Sequence, residues 1–132
     1  MRVLVDTSVW SLAFRRTTSD HPAVRRLRGL LEKADVVLMG LVLQEVLQAF
    51  RSETAFQRAL GRLGALPLLQ LSRADYVAAA RLHRTCAARG VGASTADCQI
   101  AAAAIAYRCA LLSTDADFRR IAEHSRLRLV TF

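Results

Sequence analysis

The chain has 132 residues, 53% of them hydrophobic, with no low-complexity tract. That is enough for one domain with a sizeable core and argues against intrinsic disorder, and no stretch reaches the roughly 18 uncharged apolar residues that a membrane span requires. Net charge is +8, and because Lys33 is the only lysine the surplus is arginine; arginine is the better phosphate fork and the balance favours a polyanionic partner such as nucleic acid, although arginine-rich codon usage over a solvated surface gives the same composition.

The first predicted element is a strand at Arg2–Val5. It starts at once, without the charged-then-apolar layout of a signal peptide, so a cytoplasmic protein is expected. Further short apolar runs predict strands at Val36–Met39, Leu68–Leu71, Ala110–Leu112 and Leu127–Val130. Helical periodicity separates them. Leu43, Val46, Leu47 and Phe50 form one face, Tyr76, Ala79, Ala80 and His83 a second, and Ile100, Ala101, Ala104 and Ile105 a third. Gly90 and Gly92 mark the loop between the last two helices. Strands alternating with helices imply crossover connections and a parallel sheet. Consecutive apolar positions in the first strand fit a sheet covered on both faces. The expected architecture is a single α/β domain over 1–132, with a parallel sheet of four to five strands between helical layers.

Cys86, Cys98 and Cys109 form no C-x-x-C pair, and their odd number argues for reduced core thiols rather than a disulfide framework. His21, His83 and His124 lack zinc-ligand spacing. The acids are more informative. In open parallel sheets ligands bind beyond the carboxyl ends of strands, where strand order reverses. Asp6 ends the first strand and Asp115 follows the strand at Ala110–Leu112, so the two meet if those strands are neighbours; each alone also reads as a helix N-cap. Asp97 lies on the stripe of Ile100, Ala101 and Ala104, and Ser94-Thr95-Ala96-Asp97 has capping-box spacing. A cap and an active-site acid are compatible at a helix N-terminus, where the dipole favours an anion. Glu45 points away from its helix stripe, and spacing alone makes it an exposed glutamate. Asp117 is either a supporting acid or a first-turn helix charge. Carboxylates without His or Cys suit a hard cation such as Mg²⁺ or Mn²⁺, which in a basic protein can act on a phosphodiester.

Four blocks, VLVDTSVW, LVLQEVLQAFR, STADCQIAAAAIAY and LLSTDADFRRIA, span nearly the whole chain in a specific order and spacing. Together they resemble a PIN-domain ribonuclease, specifically a VapC-type toxin of a prokaryotic toxin–antitoxin pair. The resemblance implies a parallel sheet between helices, metal-dependent RNA cleavage, a small antitoxin partner that covers the site, and a homodimer. It places the family's four acids on Asp6, Glu45, Asp97 and Asp115. Asp6, Asp97 and Asp115 become ligands of Mg²⁺ or Mn²⁺, and Glu45 becomes the residue that orients or deprotonates the attacking water. Ser8 and Asp117 match auxiliary positions, and either Asp115 or Asp117 approaches the metal more closely. Trp10, Leu12 and Phe14 could dock an antitoxin segment or pack in the core.

Other α/β acid sites fit less well. A phosphoacceptor receiver domain needs a second acid beside Asp6 and a lysine after a late strand, but residue 7 is Thr7 and the only lysine is Lys33. A two-aspartate phosphatase fails at Ser8. A non-catalytic nucleic-acid-binding module explains the charge but leaves the clustered acids repelling one another without purpose. A PIN nuclease of RNA processing, without an antitoxin, remains an alternative.

Overall fold

A computed structural model describes residues 1–132, with Arg16 described by its backbone alone. The elements run β1 (Val3–Val5), α1 (Thr7–Ala13), a 3₁₀ turn (Arg16–Thr18), α2 (Pro22–Glu32), β2 (Val36–Met39), α3 (Gly40–Gln48), α4 (Glu53–Leu63), β3 (Leu68–Leu69), α5 (Arg73–Ala88), α6 (Thr95–Ala106), β4 (Ala110–Leu112) and α7 (Asp117–Glu123).

The strands form one parallel sheet in the order β3-β2-β1-β4. Every residue of β1, β2 and β4 is buried, as a sheet covered on both faces requires. Right-handed crossovers explain the layers. Moving from β1 through β2 to β3 puts α1–α4 on one face; the return to β4 on the far side of β1 puts α5 and α6 on the other. The packing agrees, since α1 touches α2 and α3, whereas α5 touches α6, and α6 touches β4 and α7. Strand order therefore reverses between β1 and β4. Their carboxyl ends are in register, and the Asp6 amide donates to the Leu112 carbonyl at 2.9 Å.

Local chemistry sets the helix starts. Pro22 occupies the first turn of α2 behind a His21 cap, Ser52 caps α4, and Ser72 with Asp75 closes a full capping box on α5. Gly90 ends α5 with φ of +75°, a conformation that favours glycine. No helix is long and apolar enough to cross a membrane.

Several expectations are corrected in detail. The strand expected at Leu127–Val130 is reduced to one parallel bridge, Leu111 to Leu129, so the sheet has four strands and a fringe. The strand expected at Leu68–Leu71 is only two residues long. On α5 the buried residues are Ala79, Leu82 and Cys86, while Tyr76 is 52% exposed and His83 is also exposed. The alanines allowed two adjacent stripes, and the larger side chains of one of them face water. Helix α6 is buried from Ile100 to Ala104 without a break, because it lies between α5 on one side and β4 and α7 on the other.

Candidate active site

At the carboxyl end of β1 the chain turns directly into α1, and Asp6 is the cap. Its side chain accepts from the Ser8 amide, so the capping reading is correct, but it accounts for only part of the environment. Asp6 is 6% exposed and is the one buried polar or charged side chain among the described residues. Burying an ionised carboxylate is costly unless donors replace water. Here all the donors converge on Oδ2: the Ser8 hydroxyl at 2.8 Å, the Ser113 hydroxyl at 2.8 Å and the Ser8 amide at 3.4 Å.

Proton accounting fixes the direction of these bonds. The Ser8 Oγ accepts from the Thr114 amide at 3.1 Å, and the Ser113 Oγ accepts from the Asp115 amide at 3.0 Å. Accepting from an amide leaves each hydroxyl its single proton to donate to Asp6, at 2.8 Å in both cases against 3.3 Å between the two hydroxyl oxygens. Asp6 Oδ1 accepts no hydrogen bond among the described residues. The network ties the start of α1 to the loop after β4, and so ties Asp6 to the backbone that carries Asp115.

Asp97 arrives from the other layer, in the first turn of α6. Ser94 caps that helix by accepting from the Asp97 amide at 3.0 Å. The reciprocal bond that completes the box at Ser72 and Asp75 is not formed at hydrogen-bonding distance here, although the Ser94 amide still lies close enough to favour the Asp97 carboxylate. Burial pushes the Asp97 pKa up, the nearby Ser94 hydroxyl pulls it down, and Asp115 and Asp6 push it up again. Carboxylate oxygens of Asp97, Asp115 and Asp117 all lie within 4.8 Å of one another. At that distance two unit charges repel by about 3 kcal/mol at an effective dielectric near 20, and by less where water reaches the exposed Asp115.

Asp117 also has a helix role, since it pairs with Arg120 at 3.0 Å in the first turn of α7. Asp115 does the capping expected from sequence: its Oδ1 accepts from the Asp117 amide at 2.9 Å, while Ala116 at the helix boundary is already helical in φ and ψ and offers no side-chain cap. Asp6 stands outside the 4.8 Å group but reaches it through Ser113.

Glu45 is not the exposed residue that helix spacing suggested. It is half-buried, and its Oε1 accepts from the Thr7 hydroxyl at 2.9 Å. The wheel failed because α3 has neighbours on several sides, including α1. Thr7 and Ser113 are the two residues that sequence reasoning missed. Their only sequence signal is their position, one residue after Asp6 and two before Asp115.

The donor set is oxygen throughout and fits a hard divalent cation. Cys98, next to Asp97, is no competing ligand. Burial, with added repulsion from Cys86 and Asp97, pushes its thiol up to about 11, so it stays protonated.

The PIN-domain model matches residues 3–124. The chain belongs to the PIN-domain family. A protein named VapC ribonuclease Mb1587, from Mycobacterium bovis, and ribonuclease VapC11, from Mycobacterium tuberculosis, are each 34% identical to it, with 98% of both chains covered; the family is therefore that of the VapC proteins. Solved structures agree on the fold. The complex named VapBC2 from Rickettsia felis, bound to a promoter DNA fragment, superposes with a TM-score of 0.80 at 18% identity, covering 100% of this chain and 99% of that one. VapBC-1 of nontypeable Haemophilus influenzae gives 0.76 at 15% identity, covering 98% and 97%. FitAcB of Neisseria gonorrhoeae gives 0.73 at 18% identity, covering 98% and 96%.

Proposed function

We propose that this VapC-family protein is a divalent-metal-dependent endoribonuclease and the toxin of a toxin–antitoxin pair. The observation that carries the reading is the group of Asp97, Asp115 and Asp117 beside the hydroxyl-saturated Asp6, at the point where strand order reverses. The names of the mycobacterial relatives support RNA as the substrate.

Asp97 and Asp115 would hold Mg²⁺ or Mn²⁺, with Asp6 offering Oδ1 and Asp117 adjoining. The cation supplies Lewis-acid polarisation of the phosphoryl group and charge stabilisation at the leaving oxygen. The remaining work falls to the chain. Ser8 and Ser113 hold Asp6 in one orientation through Oδ2. Glu45, held at Oε1 by Thr7, uses its second oxygen to orient an attacking water and accept its proton. The chain's arginine surplus would hold the phosphate backbone.

A protein partner is supported by a separate surface. Trp10 is buried and Phe14 half-buried, so the expectation that they pack in the core holds in part. Both rings also line a groove of about 390 Å³ with Leu27, Leu31 and the arginines Arg28 and Arg62. An apolar floor with a cationic edge suits an amphipathic acidic segment, which is the chemistry we assign to the antitoxin. Exposed Tyr76 and Val77 on α5 support a homodimer. Three free, buried cysteines support a reducing, cytoplasmic setting.

Digestion of total cellular RNA by the purified protein, in Mg²⁺ and in EDTA, with mapping of the cut ends, tests the reading. Discrete metal-dependent cuts are expected. Intact RNA in Mg²⁺, or the same cuts in EDTA, would overturn it.

A further inference from the structure

A recess of about 370 Å³ adjoins the carboxylates and shares Ser113 and Asp115 with them. Its other walls include Phe118, Arg119, Thr131 and Phe132. Nothing in the reaction described above uses it. Phe118 is buried and gives it a fixed floor, whereas Phe132 is 49% exposed, so about half of its apolar ring remains open to water. The neighbouring aromatic ring is His21, with centroids 6.3 Å apart and planes tilted by 49°, so the two do not stack face to face. The Arg119 side chain is exposed and makes no ion pair or hydrogen bond among the described residues, while Arg120 beside it is committed to Asp117. A wet aromatic face and a free guanidinium therefore stand next to an acid of the metal group.

The geometry points to a nucleotide subsite: one unpaired base of a single-stranded RNA, adjoining the phosphate under attack, stacks on Phe132, and Arg119 forks a neighbouring phosphate. This rests on the nuclease reading and specifies how the substrate is held. The recess is continuous with Asp115, so a base within it belongs to a nucleotide close to the cut. A stacking platform beside a cation is a general solution for single strands and does not serve a duplex, whose bases are covered. Stacking tolerates any base, so the subsite sets the position of the strand more than its sequence.

The test measures affinity for a fluorescein-labelled single-stranded RNA, chosen because the parent protein cuts it, in an Asp6→Asn background that leaves it uncut. Phe132→Ala should weaken binding roughly tenfold, within the range of one lost stack. Phe132→Trp should restore it. Phe132→Leu, which keeps apolar bulk without an aromatic face, should bind as poorly as Phe132→Ala. Arg119→Ala should reduce the log–log salt slope by about 0.7, the share of one single-strand phosphate. An abasic site walked along the RNA should weaken binding at one position next to the cut, and that loss should disappear in Phe132→Ala. If Phe132→Ala and Phe132→Leu bind like their background, or the abasic losses are the same in both proteins, the subsite falls while the nuclease reading stands. If the parent cuts no RNA and the Asp6→Asn protein binds none, the nuclease reading falls and the subsite with it.

Discussion

The Ser113 hydroxyl donates to Asp6 Oδ2 at 2.8 Å, joining positions 107 residues apart in the chain. The same Oγ accepts from the Asp115 amide at 3.0 Å. One side chain thus fixes the orientation of one acid and the backbone of another. It also reserves Asp6 Oδ1 for whatever lies in the cleft.

Ser113→Ala removes a donor from a buried carboxylate and an acceptor from a loop amide. It should lower stability by roughly 1–3 kcal/mol, the range for leaving a buried polar group without its hydrogen-bond partner. Ser113→Thr should restore most of it. Thermal melts of the two variants in EDTA, together with Mn²⁺ affinities by titration calorimetry, check this. Weakened Mn²⁺ binding by the alanine variant and recovery by threonine are expected. Equal stability and equal affinity in both would show the bond to be incidental.

Thr7 offers a second check. Its hydroxyl is the one described partner of the Glu45 carboxylate. Thr7→Val keeps the shape and removes the donor, so Glu45 should lose its orientation while Mn²⁺ affinity changes little. The cleavage rate should fall about tenfold, and Thr7→Ser should recover it. In a Glu45→Gln background, Thr7→Val should cost much less, because residues that act as a unit are not additive. Independent, multiplying effects in that cycle would separate the two residues.

Asp97 carries the electrostatic cost of the cluster. Its folded-state pKa is raised by burial first and by Asp115 and Asp6 thereafter, with Ser94 opposing. A carboxyl with a raised folded pKa binds its proton more tightly in the folded state. The metal-free protein therefore loses stability as pH rises from the ordinary Asp value of 3.8 through the raised one, and the penalty stays in place above it. Asp97→Asn should melt higher than the parent in EDTA at pH 7, with the gap narrowing toward pH 4. Mg²⁺ should stabilise the parent, by about 2.7 kcal/mol at a hundredfold excess over Kd, and the variant much less. A variant that melts lower at pH 7 in EDTA would make Asp97 a structural cap.

Asp6 is a poorer choice for this experiment, although repulsion among the acids applies to it too. Its charge is offset by three donors, so Asp6→Asn disturbs a satisfied network as well as removing repulsion.

The sheet was legible because VLV, VVLM and ALL are short, branched apolar runs, and burial on both faces leaves no other account of them. The meeting of Asp6 with the loop that carries Asp115 was expected only on condition that the two strands are neighbours, and the sheet order meets that condition. Glu45 was not legible from the helix wheel, because a wheel assumes one buried side and α3 has several neighbours; only the resemblance of the surrounding block raised it. The α5 face was misjudged because alanine carries too little apolar area to distinguish adjacent stripes. Ser113 and Thr7 act through contacts over 107 and 38 residues of separation, which no local pattern records.

The central claim is that these carboxylates hold a cation that drives RNA cleavage. The most direct measurement is the single-turnover cleavage rate of a defined RNA by the parent and by Asp97→Asn, each in Mg²⁺ and in EDTA. The account predicts cleavage by the parent in Mg²⁺ alone, with the variant at background in both conditions. Cleavage by folded Asp97→Asn at the parental rate, or parental cleavage that persists in EDTA, would contradict it.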